Sequence, residues 1–560
     1  MTRVGRLTAL AAAVSLCVGG GAAAALLAPG SEAAPGGSTT ATTTVATATT
    51  PTSTAASNVS TASRVVAFTG HGFGHGLGLS QWGANGYAQH GWTYDRILAH
   101  YYPGTTLGPA RVATVRILLA TERTVKLAAA APWTVVDATG AKTVLDPAAP
   151  LTLGPALSVG GAKLAPPLTF SSKQPLSVDG RAYRGRIVVL PDGKQLDVVD
   201  TVGLEAYLKG VVPAEMPSSW PAEALKAQAV AARSYALANV TKGRAYDLYG
   251  DTRSQVYGGV AAESAAASAA VDATKGTVVL YRGKVADTLF SSSSGGRTAS
   301  ALESTGIDVP YLVSVDDPYD SISPYHDWGP VLFDAAAISK TLGLAAPVAG
   351  LAAVNGASGR VKSVVITSDD DGQVTLTGNQ LRGALGLRST WFAPALLQLL
   401  PAARTLTYGG AASLTGFARG TGAVTLEAKA SGGAWAPAGD VTLAPDGSFA
   451  TIVKPQVSTW YRLAWGTARA GLAKLTVAAR VAATVTSAGV QGTVRPLAPG
   501  APVQLQQQTP AGGWTTLSST AADASSAWSL AGALAAGTYR VRAVPGRGVA
   551  AGASAAFTIQ

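Results

Sequence analysis

The chain predicts an α+β fold: one mixed strand/helix domain over residues 64–400, followed by two small β-sandwich modules at 404–480 and 481–560. Three observations carry this. Ala222–Ala238 holds no Gly or Pro and is rich in strong helix formers, which predicts a long helix. Residues 112–202 alternate apolar and polar side chains in short runs broken by Gly and Pro, as in Val115-Arg116-Ile117-Leu118-Leu119 and Ile187-Val188-Val189-Leu190, which predicts strands. Beyond Arg404 the composition shifts to Gly, Ala, Thr and Val, and Gly416, Trp435, Phe449 and Tyr461-Arg462 recur as Gly492, Trp514, Trp528 and Tyr539-Arg540. The offsets are 76, 79, 79 and 78 positions, the mark of a repeated small sandwich. Exposed Trp435 and Trp514 would favour wall or glycan binding by these modules, and buried ones would favour core packing.

In chain order, Met1-Thr2-Arg3-Val4-Gly5-Arg6 and the Ala/Leu/Val run to Leu27 read as a secretory signal peptide covering residues 1–34. An uncleaved anchor is the competing reading. The predicted location is secreted, extracellular or cell-wall associated. Cys17 is the only cysteine and lies inside this segment, so the mature chain would hold no disulfide and no thiolate metal site. Residues 35–63 are Thr, Ser and Ala with few large apolar side chains, which predicts a disordered linker.

From Phe68 glycine stands at almost every second position, in Gly70-His71-Gly72-Phe73-Gly74-His75-Gly76-Leu77-Gly78-Leu79-Ser80-Gln81-Trp82. Such a loop brings backbone N–H groups close to a ligand, and His71, His75, Ser80 and Gln81 add side-chain hydrogen bonds. A polar substrate loop fits best. The alternatives are a nucleotide loop, whose Gly-x-Gly-x-x-Gly spacing is absent, a metal site that would need more than two histidines, and a plain glycine turn.

The densest stretch is Leu204-Glu205-Ala206-Tyr207-Leu208-Lys209-Gly210-Val211-Val212-Pro213-Ala214-Glu215-Met216-Pro217, followed by Ser218-Ser219-Trp220-Pro221 and the long helix. Pro213 and Pro217 predict a stiff non-helical turn bearing Glu215, with Ser218 or Ser219 capping the long helix. Leu225, Ala229, Ala232 and Ala236 form a narrow stripe of small apolar residues, and Lys226 and Arg233 would set two positive charges near Glu215, with Tyr235 nearby. A solvated turn carboxylate is the competing reading of Glu215. Apolar neighbours raise a carboxyl pKa and cations lower it, so its direction is open from sequence.

These residues resemble the signature of the SpoIID/LytB family, the sporulation stage II protein D group, through the Glu-Met-Pro segment and Glu223-Ala224-Leu225-Lys226-Ala227-Gln228-Ala229-Val230-Ala231-Ala232-Arg233-Ser234-Tyr235-Ala236. The resemblance spans about residues 68–392. It implies a SpoIID-like catalytic domain and a peptidoglycan lytic transglycosylase, with Glu215 as the catalytic acid. The glycine-rich segment is similar to the family's Gly-His-Gly-x-Gly-Met-Ser-Gln motif, with Leu79 in place of Met, but it precedes Glu215 instead of following it, as in a permuted domain. Residues implied to hold or line the substrate are Lys226, Gln228, Arg233, Tyr235, His71, His75, Ser80, Gln81, Asp251, Gln255, Tyr257, Ser292 and His326. A turn with a surface Asp is the competing reading of residues 251–257, and a mere turn that of the Ser-rich loop at 290–298. Relatives that hold zinc place Cys and His where this chain has Ser291, Ser294 and Arg297, so no metal and no cofactor is expected.

The formal charge of +11 suits an anionic cell wall, while dispersed Lys and Arg with no recognised module disfavour nucleic acid. Expected partners are peptidoglycan glycan strands, the anionic wall and an amidase or other wall hydrolase. A retaining or inverting glycosidase needs two carboxylates, and Asp247 or Asp251 would have to be the second; a transglycosylase needs one. The alternative to catalysis is a wall-binding scaffold or amidase enhancer.

Overall fold

The computed structural model describes residues 64–111, 114–241 and 243–560, so the predicted signal peptide and linker lie outside the described residues. Strands dominate, and helices cluster in the first two thirds of the chain. Those that build the site are Gln81–Gln89 (α1), Tyr94–Tyr101 (α2), Leu204–Glu215 (α3), Ala222–Ala238 (α4) and Ala265–Ala273 (α5). Among the described residues no helix is long and apolar enough to cross a membrane.

The alternating stretch forms the expected strands. Thr114–Glu122, Gln195–Gly203, Arg186–Asp192 and Leu168–Ser172 are successive antiparallel neighbours in a seven-stranded sheet. Their inward positions, Val115, Ile117, Val198, Val202, Ile187, Val189, Leu168 and Phe170, make one core with α3 and one side of α4. The narrow stripe expected of α4 is in fact two faces. Leu225, Ala229, Ala232 and Ala236 join the sheet core, whereas Ala227, Val230 and Ala231 join a second core with Leu77, Leu79, Tyr101 and Tyr102. Neighbours press on both sides of α4, which is why its side chains are small.

Strand Arg64–His71 lies between Asp327–Asp334 and Phe392–Pro401, antiparallel to both. Successive side chains of a strand point to opposite faces. Val65 and Ala67 therefore enter one core with Leu397, Leu463 and Leu475, and Val66 and Phe68 enter another with Trp328, Ile338 and Leu381. Phe392–Pro401 also pairs with Ala412–Arg419, so the sheet runs on across residues 400–404 into the first sandwich.

Both sandwiches repeat the same local packing. Gly416 pairs with Phe449 and Gly492 with Trp528, and in each case a Cβ on the glycine would strike the opposing ring. Trp435 and Trp514 are partly exposed, and neither is an open platform or a core residue. Arg462 lies 4.0 Å from the Trp435 ring centroid and Arg540 4.2 Å from that of Trp514.

Candidate active site

Helix α3 starts where the strand Gln195–Gly203 ends, with Glu205 in its first turn, favoured there by the helix dipole. It runs through Pro213, so Glu215 is its last residue and does not sit on the non-helical turn that the prolines predicted. Pro213 falls in the final turn, where losing one N–H costs one bond, and Met216 ahead of Pro217 takes the extended conformation that ends the helix. Neither Ser218 nor Ser219 caps α4: its N-cap is Pro221, and the Ser218 hydroxyl bonds Ser264.

Glu215 Oε1 accepts the Val256 N–H at 2.7 Å. Gly210 makes this possible, because a Cβ there would meet the Tyr257 ring at 2.7 Å; without one, the Gly258 N–H reaches the Gly210 carbonyl at 3.0 Å and residues 256–258 lie against α3. The Gln81 amide is near enough to favour the charged form of the carboxyl, although its Nε2 makes no regular hydrogen bond. Glu215 keeps part of its surface open to solvent, yet protein crowds it enough that desolvation raises its pKa above the usual range. Trp82, which follows Gln81 in the chain, meets Trp220 edge to face, and both are partly exposed.

The glycine-rich segment reaches this place by clasping the Ser-rich loop. Leu79-Ser80 pairs with Phe290-Ser291, Phe73 bridges Ser293, and the Trp82 N–H donates to the Ser292 carbonyl at 3.0 Å. Asp320, fully buried, holds the assembly. It accepts from the Ser80 and Ser293 hydroxyls, each at 2.8 Å, and from the Ser294 and Gly295 N–H groups at 3.0 and 2.9 Å, with the His326 ring nitrogen at 3.1 Å. Asp317 beside it accepts from Tyr101 and Ser294, and burial followed by the Asp320 charge raises its pKa to about 7.

Several expected site residues do other work. Lys226 pairs with Glu223 at 2.6 Å and borders a hollow with Tyr94 and Asp95. Arg233 is fully buried and grips Glu205 through Nε (2.9 Å) and Nη2 (2.7 Å), also donating to the Thr277 and Val271 carbonyls. The cations expected beside Glu215 therefore neutralise other carboxylates. Ser80, Gln228, Gln255 and Tyr257 are buried and present no open polar surface to a sugar: Ser80 caps α1, Gln255 bonds Tyr207 and the Ala232 carbonyl, and Tyr257 donates to Asp200. His71 pairs with Asp327 at 2.6 Å. His75 accepts the Leu77 N–H, and crowding, then Arg382 and Arg360, lower its pKa to about 3. Asp251 pairs with Arg253 at the surface.

Tyr235 is nearly buried, within electrostatic reach of Glu215, and Ser292 is partly exposed beside Trp82. Neither proposed second carboxylate is free, since Asp247 is locked on Arg116 and Asp251 on Arg253. Among the described residues no three His, Cys, Asp or Glu side chains converge as metal ligands. Sequence reasoning missed the Val256 amide, which has no side-chain signature. It also missed Asp320, which stands in an ordinary Pro318-Tyr319-Asp320 turn, and Asp200, a buried carboxylate on a strand.

A family model described as SpoIID, Stage II sporulation protein, matches residues 192–281, from the strand before α3 through the strand Thr277–Tyr281. An uncharacterised protein of Brachyspira hyodysenteriae is 39% identical over 151 residues, 26% of this chain and 41% of its own length. A Bacillus subtilis protein named amidase enhancer is 36% identical over 183 residues, 32% of this chain and 25% of its own. The stage II sporulation protein D of Bacillus subtilis is 30% identical over 250 residues, 41% of this chain and 72% of its own. The chain thus spans less than half of the first two relatives and nearly three quarters of the third.

Proposed function

Since this chain belongs to the SpoIID family, we propose that it is an exported lytic transglycosylase that cleaves peptidoglycan glycan strands with Glu215 as its single acid and base. One observation carries the reading: Glu215 is a crowded carboxyl on a partly exposed residue, with a raised pKa, and both candidate second carboxylates are bound to arginines. Crowding favours the protonated acid. The Val256 N–H and the Gln81 amide favour the carboxylate, so both forms needed in a two-step proton cycle have support.

In the first step the protonated Glu215 gives its proton to the glycosidic oxygen as the bond from that oxygen to the muramic anomeric carbon breaks. The resulting carboxylate then takes the proton from the 6-hydroxyl of the same sugar as its oxygen bonds that carbon. The product is a 1,6-anhydro end, no water is consumed, and the acid is restored. Glycan strands of the anionic wall are the substrate, and the positive charge of the chain supports retention there. Incubating the wild type and Glu215→Gln with intact and peptide-free sacculi tests this. Anhydro-sugar ends from the wild type alone support the reading, and reducing ends or equal release by both proteins overturn it.

The relative named amidase enhancer favours a second reading, a wall-bound scaffold that speeds an amidase. That reading requires no release of glycan by the purified protein, and faster peptide release when an amidase is added.

A further inference from the structure

We propose that Trp82 and Trp220 form an aromatic subsite that seats an amino sugar of the glycan next to the bond presented to Glu215. This rests on the reading of Glu215 as the acid. Trp82 directly follows Gln81, whose amide acts on the Glu215 carboxyl, and Trp220 stands five residues beyond Glu215. The two indoles lie 4.7 Å apart at their centroids with 61° between planes. Both are partly exposed, although the residues around them, Gln81, Gly83 and Met216, are buried. Trp220 packs at the border of the sheet core, and among the described residues Trp82 is neither a buried nor a bordering member of an apolar core.

Each indole stands on fixed backbone. The Trp82 N–H is bonded to Ser292, and the helix turn below it is capped by Ser80, itself held by Asp320. The Trp220 N–H reaches the Pro217 carbonyl at 3.1 Å, with Pro221 following. A partly exposed aromatic pair on rigid supports, with the Gln81 amide and the Ser292 backbone adjoining Trp82 in the chain and in hydrogen bonding, suits a sugar ring. A pyranose offers C–H bonds to the ring faces and hydroxyl or acetamido groups to the polar edge, and an N-acetyl methyl adds apolar area. Preorganisation lowers the ordering cost of such binding.

The test uses the full chain carrying Glu215→Gln, so that binding is read without turnover. Calorimetry with a tetramer of N-acetylglucosamine and cosedimentation with peptide-free sacculi supply the readout. Trp82→Ala is expected to weaken both by roughly tenfold, and Trp82→Phe to recover most of the loss. In the active chain Trp82→Ala raises KM and leaves kcat within a few fold. If Trp82→Ala melts early, protection of Trp82 and Trp220 from N-bromosuccinimide oxidation by the tetramer, mapped by peptide mass, takes its place. Failure of the parent to bind the tetramer, unchanged affinity in Trp82→Ala, or absent protection overturns the subsite. Loss of affinity in the variant together with no cleavage by the wild type keeps the subsite and sinks the transglycosylase reading instead.

Discussion

Replacing Glu215 with Gln separates chemistry from architecture, because the structure fixes what each should feel. The glutamine Oε1 can still accept the Val256 N–H, so the bond at 2.7 Å has a successor and folding stability should stay within about 1 kcal/mol of the wild type. The raised pKa sets the sign with pH. A carboxyl whose folded pKa exceeds the unfolded value binds its proton more tightly when folded, so its stabilisation is complete below the ordinary Glu value of ~4.3 and is lost as pH rises through the folded value. The Gln variant lacks that slope and should equal or exceed wild-type stability at pH 7. Turnover should fall by roughly 10²–10⁴, the contribution of a positioned acid and base. Urea titrations from pH 4 to 8 and digestion of peptide-free sacculi supply both numbers. A variant that retains wild-type turnover, or that is destabilised by more than about 2 kcal/mol at pH 7, would show Glu215 to be a structural carboxylate.

Three further perturbations bear on the frame around the acid. Burial raises Asp200 to about 8, so wild-type stability should decline by several kcal/mol between about pH 4 and pH 8, and Asp200→Asn, which keeps an acceptor for Tyr257, should flatten that decline in urea titrations. Arg233→Ala strands the mostly buried Glu205 and should cost about 3–5 kcal/mol by thermal denaturation, with Glu205→Gln in the same chain recovering part of it. Asp320→Ala takes the acceptor from three buried donors, the Ser80 and Ser293 hydroxyls and the Gly295 N–H, each worth about 1–3 kcal/mol, while the Ser294 N–H keeps the Ser80 oxygen. A variant that still folds should lose activity with Glu215 untouched, because the turn bearing Gln81 and Trp82 is released.

Much of this was legible in the residues. The boundaries of α4 follow from its composition and from the proline ahead of it, and the alternation at 112–202 gave strands because one face of that sheet meets a core. The spatial rejoining of the glycine-rich segment with the Glu-Met-Pro segment was legible as motif content but not as geometry, since strand Arg64–His71 and its partner Phe392–Pro401 are over 300 positions apart in sequence. Charge pairing was the least legible layer. Lys226 and Arg233 lie two turns apart on one helix, yet their partners, Glu223 and Glu205, are chosen by packing: Arg233 points toward α3 and α5, whose carbonyls and carboxylate satisfy it. Ser80 and Tyr257 read as sugar ligands because hydroxyls bind sugars, but a hydroxyl beside a buried carboxylate is claimed by it first.

Strand Arg64–His71 also limits how the molecule can be trimmed. Its odd-numbered residues Val65 and Ala67, with Ala395, Leu397 and Leu399, are roofed by side chains from residues 406–477. A fragment ending near residue 401 would bare that oily floor to water and should clump on expression, whereas one ending after residue 478 keeps the roof intact. Whoever wants the smallest fragment that folds must therefore carry one sandwich along as part of its foundation.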